Sequence, residues 1–257
     1  MAAIPLTETH VKNVKRGLRS LFPEIPSSHL SEALAASLGK HTHAALLAEI
    51  KKTDSNDPNV VILNDNLFFD KLSKFGVTFP DSELPFLGFD LLDAEGIIET
   101  TPVSADKIHY NTRRKKAWRN MMVAAINAGI EQKLFSVLPK DNRWPGYADP
   151  YKDSSQRPYA YRFTFPGNIE ALATVSDAGF DELSIHVALW PTGKFTDCFN
   201  AGFSAGEAFA TGWLERKKGA WLQDSTTSLQ CRKNRLQIIA DVDISPNGYG
   251  DKGRLII

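Results

Sequence analysis

The chain has 257 residues, 42% of them hydrophobic and 23% charged, with thirty basic and thirty acidic side chains that cancel. That balance excludes a molecule-wide field for nucleic acid, an anionic membrane or an acidic substrate, so any such preference must come from a local patch. The two cysteines, Cys198 and Cys231, form no paired motif, Met1–Pro5 carries no signal pattern, and no apolar run is long enough to span a bilayer. A cytoplasmic protein with free thiols and no membrane insertion is the expectation.

In chain order, Val11, Val14, Leu18 and Leu21 recur at helical spacing behind the candidate caps Thr7 and Thr9, and Pro23 ends the run. A second helix follows Ser27 or Ser28 with Leu30, Ala33, Leu34 and Leu38 on one face, and Gly39 stands where a left-handed residue belongs. Thr42 is placed to cap a third, carrying Ala45, Leu46 and Ile50. The exposed surface of these helices is expected to show Lys12, Lys15, Arg16 and Arg19 on one side and His41, His43 and Glu49 on another. Ala35 and Gly39 have the spacing of a helix-turn-helix. Yet Lys40 falls where an apolar residue should be, and Ala44–Ala48 offer little to a base edge.

The runs Lys15–Arg19, Ser28-His29, Glu32–Ala35, Leu38-Gly39 and Ala44–Ala48 carry a resemblance. Residues 11–50 resemble the short helical glyoxalase-related module of bacterial proteins. The resemblance implies a bacterial accessory protein with a recurring helical piece at its start, and no glyoxalase chemistry.

Lys51–Asn59 holds no apolar residue and reads as a linker. Val60–Leu63 suits a short strand, and Asn66–Phe75 a helix stopped by Gly76. Five prolines and glycines interrupt 78–102, where turns are expected. The longest helix is then placed at 104–132, capped by Ser104 or Asp106, with Trp118, Met121, Met122, Ala125, Ile126 and Ile130 in one stripe. Leu134–Leu138 is expected as an edge strand and 143–156 as a loop.

Strict alternation of apolar residues dominates Tyr159–Trp190: Tyr159–Phe165, Ile169–Val175 and Leu183–Leu189, separated by Pro166-Gly167-Asn168 and Asp177-Ala178-Gly179. Successive strand side chains point to opposite faces, so this predicts a three-stranded antiparallel meander with one greasy face. Leu236, Ile238, Ala240, Val242 and Ile244 suggest a fourth strand, Ser204–Lys218 a second covering helix, and Leu255–Ile257 an edge strand. Gly206 and Gly212 in that helix would weaken it by about 1 kcal/mol each, which points to close packing on their side.

Two groups of residues carry candidate chemistry. Arg113, Arg114, Lys115 and Lys116, with Arg119 and Trp118, could hold phosphates on a helix while the indole stacks on a base. The competing reading is a solvated helix face with Trp118 in the core. Glu182, His186, Asp241 and Asp243 would converge on the polar sheet face if the 236–244 strand lay beside 182–189, forming a divalent-metal or acid–base cluster. Alternating acids also serve to keep a sheet face soluble.

The expected fold is α+β. Residues 1–55 form a helical module, 56–103 an irregular connector, and 104–257 an antiparallel sheet of four or five strands packed with helices. The expected function is that of a non-enzymatic bacterial adaptor that docks a protein partner, with nucleic acid as a second ligand, and no cofactor is expected. The alternative is a metal-dependent hydrolase or nuclease using the polar sheet face.

Overall fold

The computed structural model describes residues 2–79, 97–100, 108–138, 141–145, 159–192, 206–216, 219–224 and 229–254. The chain divides into two compact units, Met1–Thr100 and Thr101–Ile257. Among the described residues no helix is long and apolar enough to cross a membrane.

In the first unit β1 (Ala2–Pro5) is the middle strand of a small antiparallel sheet, between β2 (Val60–Ile62) and β3 (Ile98–Glu99). All four residues of β1 are buried, as a middle strand covered on both faces requires. Around it lie α1 (Glu8–Leu21), α2 (Ser27–Ser37), α3 (His43–Ile50) and α4 (Asp65–Ser73). Thr7, Thr42 and Asn64 cap α1, α3 and α4 by accepting from the amides of His10, Ala45 and Leu67. Gly39 turns the chain out of α2 at φ 74° and Gly76 out of α4 at φ 79°.

One core joins Ile4 of β1, Leu18 of α1, Leu34 of α2 and Leu46 of α3 to Leu63 and to Phe68 and Leu72 of α4. The boundary expected at residue 55 therefore runs through a unit rather than between two. The linker 51–59 merely carries the chain to β2, whose pairing with β1 ties residues 60–62 to residues 3–5.

The second unit is built around α5 (Arg113–Glu131), capped by Thr112 through the amide of Lys115. Its start is later than expected, and Ser104 and Asp106 lie outside the described residues. The meander forms, with its second turn at Phe180-Asp181 because residues 177–179 belong to the strand: β4 (Tyr159–Phe165), β5 (Ile169–Gly179) and β6 (Glu182–Leu189), with Ala173 opposite Val187 and Tyr161 opposite Ala173. The sheet continues through β7 (Ala208–Glu215), β8 (Trp221–Asp224) and β10 (Gly250–Arg254), with β9 (Leu229–Cys231) also on β7. It has seven strands, and because β10 runs parallel to β8 it is mixed rather than antiparallel.

Three expected elements are exchanged. The helix expected at Ser204–Lys218 is a strand over its described part: Ala208, Ala210, Gly212 and Leu214 are buried and alternate with half-exposed residues, the period of a strand. The strand expected at 236–244 is instead α6 (Lys233–Ala240), in which Ile239 is buried and Ile238 exposed. Alternation over so few residues cannot separate the two periods, and the adjacent pair Ile238-Ile239 breaks the strand reading. Leu134–Leu138 makes bends, not a strand, although Phe135 and Val137 are buried. The strand expected at 255–257 lies outside the described residues.

One face of the sheet and α5 share a core of Ile185, Val187, Val175 and Leu214 against Trp118, Met122 and Ile126. Each such fully buried side chain contributes about 1.5–3 kcal/mol. On its other side α5 packs against α6 and the irregular stretch 241–249. That stretch is held by side chains of α5. Asn120 Nδ2 donates to the carbonyls of Ile239 (2.9 Å) and Val242 (2.8 Å), and Asn127 to that of Ser245 (2.9 Å). Arg119 donates to Ile244 O at 2.6 Å and pairs with Asp251 at 2.8 Å. Backbone without a ladder needs such partners when buried.

Candidate functional site

The basic turn expected to hold phosphates does form. Arg113, Arg114, Lys115 and Lys116 make the exposed first turn of α5. The aromatic partner is missing from it. Trp118 is 4% exposed, its Nε1 donates to Thr211 O at 2.7 Å, and no base can stack on it. Arg119 is engaged with Asp251 and Ile244, and Arg114 donates to Leu229 O. Three exposed cations remain, Arg113, Lys115 and Lys116.

The polar sheet cluster is divided. Glu182 and His186 lie on the second face of the sheet, but Asp241 follows α6 and Asp243 lies in the irregular stretch, and α6 packs on α5. Asp241 instead accepts from Gln237 Nε2 at 2.5 Å. Among the described residues no group of three or more His, Cys, Asp or Glu side chains is arranged to hold a metal ion.

Around His186 the second face is nonetheless organised. Thr174, His186 and Thr211 sit in one row across β5, β6 and β7. His186 Nδ1 is 2.9 Å from Thr211 Oγ1 and Nε2 3.4 Å from Ser184 Oγ, and the ring lies beside that of Phe209. Burial holds the imidazole below its ordinary pKa, which favours the neutral form. Thr174 and Ser176 are buried too, so this face is covered over β5 and β6 and is not an open solvated surface. Two rows along the same face, buried Gln223 donates to Glu182 at 3.1 Å and Glu215 at 3.4 Å, two carboxylates directly opposite each other across β6 and β7. Gln223, Glu182 and Glu215 satisfy one another, whereas the buried hydroxyl of Thr174 meets no hydrogen-bond partner among the described residues.

Cys231 is a half-buried thiol raised by burial, the opposite of an activated nucleophile, and Cys198 lies outside the described residues.

The first unit presents a different kind of surface. A groove of about 410 Å³ is lined by Lys12, Lys15, Arg16 and Arg19 of α1, Ser27 of α2 and His43 and Leu47 of α3, with Val11 and a single acid, Glu8. The four cations recur at the i, i+3, i+4 and i+7 positions of α1, so they share one face. None of them forms an ion pair among the described residues, whereas Lys40 and Lys71 nearby pair with Glu49 and Glu32. His43 does not lie on a separate side as expected: its Nε2 is 3.5 Å from Lys15 Nζ. Desolvation, then Arg19, pulls the Lys15 ammonium below its ordinary pKa; desolvation, then Lys15, does the same to His43, against Glu32.

This clustering is unfavourable in isolation. The pairs 12/15, 12/16, 15/19 and 16/19 place like charges at helical contact spacing, each destabilising by about 0.2–0.5 kcal/mol. The stripe itself was legible in the sequence. Its closure into a groove by His43 and Ser27 was not, because those come from other helices.

Comparison with known proteins yields nothing similar: no family model matches the chain, and neither a curated protein nor a solved structure resembles it.

Proposed function

We propose that the chain is a non-enzymatic binding protein, an adaptor that docks an anionic partner through the groove between α1 and α3. The observation that supports this is the set of four cations without ion pairs facing one concave surface whose only acid is Glu8. Unsatisfied like charges held together on a folded scaffold lower stability and raise affinity for an anion, so their placement fits use rather than folding. The likeness of residues 11–50 to a helical module of bacterial accessory proteins agrees with a docking role.

Retention of the full chain on a sulfated polysaccharide column tests the reading. The unmodified chain should bind at low salt and elute early as salt rises, because bound counterions are released. Lys15→Glu with Arg16→Glu should abolish retention, while Arg113→Glu with Lys116→Glu should leave most of it. No retention at low salt, or a larger loss from the α5 pair, would remove the groove as the site.

A further inference from the structure

Resting on that reading, we infer that the occupant of the groove is an acidic peptide segment carrying one large apolar side chain. The basic groove does not end at Arg19. Arg19 and Ser27 also line an adjoining pocket of about 450 Å³, whose other walls are Phe22, Pro23, Glu24, Ile25 and Pro26. Charge gives way to an apolar hollow within one turn of α1. A ligand that fills both must carry negative charge at one end and an apolar group at the other.

The junction favours a carboxylate. Pro26, ahead of α2, makes no side-chain cap, so the amide groups opening that helix meet no side-chain acceptor beside Ser27 and Arg19. Leu47, 37% exposed, adds apolar surface along the cationic part itself. A peptide supplies carboxylates and aliphatic or aromatic side chains at such spacing.

Nucleic acid fits less well. Of the two aromatic rings in the pair of pockets, Phe22 is 8% exposed and packs on Phe68 and Phe79, so it offers no face on which a base can stack, and His43 is a single small ring held beside Lys15. The outward residues of α3 are Ala44, Ala45, Leu47 and Ala48, which cannot read a base edge.

The test uses the full chain and three labelled probes followed by fluorescence anisotropy. One is a ten-residue glutamate-rich peptide with a central phenylalanine. The second has serine in place of the phenylalanine, and the third is a single-stranded oligonucleotide of the same net charge. The phenylalanine peptide should bind best, with affinity falling as salt rises. Removal of its ring should weaken binding about tenfold, the cost of about 1.4 kcal/mol of lost apolar burial. Lys15→Glu with Arg16→Glu should weaken both peptides. Pro23→Ser, at an exposed wall of the apolar pocket, adds no charge and should weaken the first peptide more than the second. Equal binding of the two peptides, both sensitive to Lys15→Glu, would keep the docking function and refute the apolar anchor. An oligonucleotide bound as tightly as the first peptide would refute the peptide occupant. If no probe binds, both this inference and the function it rests on are overturned.

Discussion

Replacing Asn120 by leucine tests how the second unit is held together. The side chain is 3% exposed, and its amide donates to Ile239 O at 2.9 Å and Val242 O at 2.8 Å. Ile239 is in the last turn of α6, where helical carbonyls have no partner of their own, so Asn120 caps one helix from another. Leucine is similar in size but leaves both carbonyls without this donor. Stranding a buried carbonyl costs about 1–3 kcal/mol, and a partly solvated one costs nearer the net value of a hydrogen bond, about 0.5–1.5 kcal/mol. Taking the buried Ile239 carbonyl at the first value and Val242 at the second, and subtracting under about 1 kcal/mol for the added apolar contact, the loss is about 1–4 kcal/mol. Against a typical total of 5–15 kcal/mol this is large. All five tryptophans, Trp118, Trp144, Trp190, Trp213 and Trp221, lie in the second unit, so fluorescence during urea unfolding follows that unit alone. The midpoint should fall with an unchanged slope. Amide exchange across 239–250 should quicken by more than the rest of the unit. A loss under about 0.5 kcal/mol would mean that other contacts hold the stretch and that the cross-helix cap is incidental.

Two further outcomes follow from the same structure. A Cβ at Gly212 would lie 3.0 Å from Met122 Cε and 3.1 Å from Trp118 Cζ2, and the indole is tethered to Thr211 O. Gly212→Ala should therefore destabilise the second unit, and Gly212→Val should cost about 1–3 kcal/mol. In a helix the alanine would instead stabilise by about 1 kcal/mol, so the sign of the measured change decides between strand and helix at this position. The second outcome concerns pH. Because burial lowers the His186 pKa in the folded state, the unfolded chain binds more protons over the window between the folded value and the ordinary imidazole value of about 6.5. The stability linked to His186 is present above that window and is lost as pH falls through it. The fall should be shallower in His186→Gln, monitored by tryptophan fluorescence, and identical slopes in the two proteins would refute the desolvation.

The meander was legible because its alternation runs through 159–189 and Gly167 and Gly179, both at positive φ, lie in the first turn and at the end of β5 beside the second. The α1 to α4 helices were legible by their apolar period, and the caps agree at Thr7 and Thr42, whereas α2 opens after Pro26 with no side-chain cap in place of the expected Ser27 or Ser28. β7 was open to reading too, since Phe209, Thr211 and Trp213 are strand formers alternating with Ala208, Ala210 and Leu214. The small residues Ala and Gly diluted that signal into a helix. β1 and β3, at four and two residues, are too short to show a period and exist through pairing that no local pattern records. As for the sites, each charged stripe could be found, but not its neighbours. The tether of Trp118 to Thr211 and the distance between His43 and Lys15 both depend on residues remote in sequence.

The same distinction separates structural polarity from available polarity. In the second unit five buried or half-buried polar side chains meet a defined need: Arg119, Asn120 and Asn127 serve backbone carbonyls, Gln223 bridges two carboxylates, and Tyr249 donates to Val123 O at 3.2 Å. Removing any of them should first be felt as lost stability. The α1 stripe is the reverse. Its four cations meet no carboxylate among the described residues, lie at mutually repulsive spacing, and line a hollow. Relieving that repulsion by Lys12→Gln or Arg16→Gln should leave the fold intact or slightly firmer while weakening anion binding. Opposite responses of stability and binding to one substitution are what separate a site from a support.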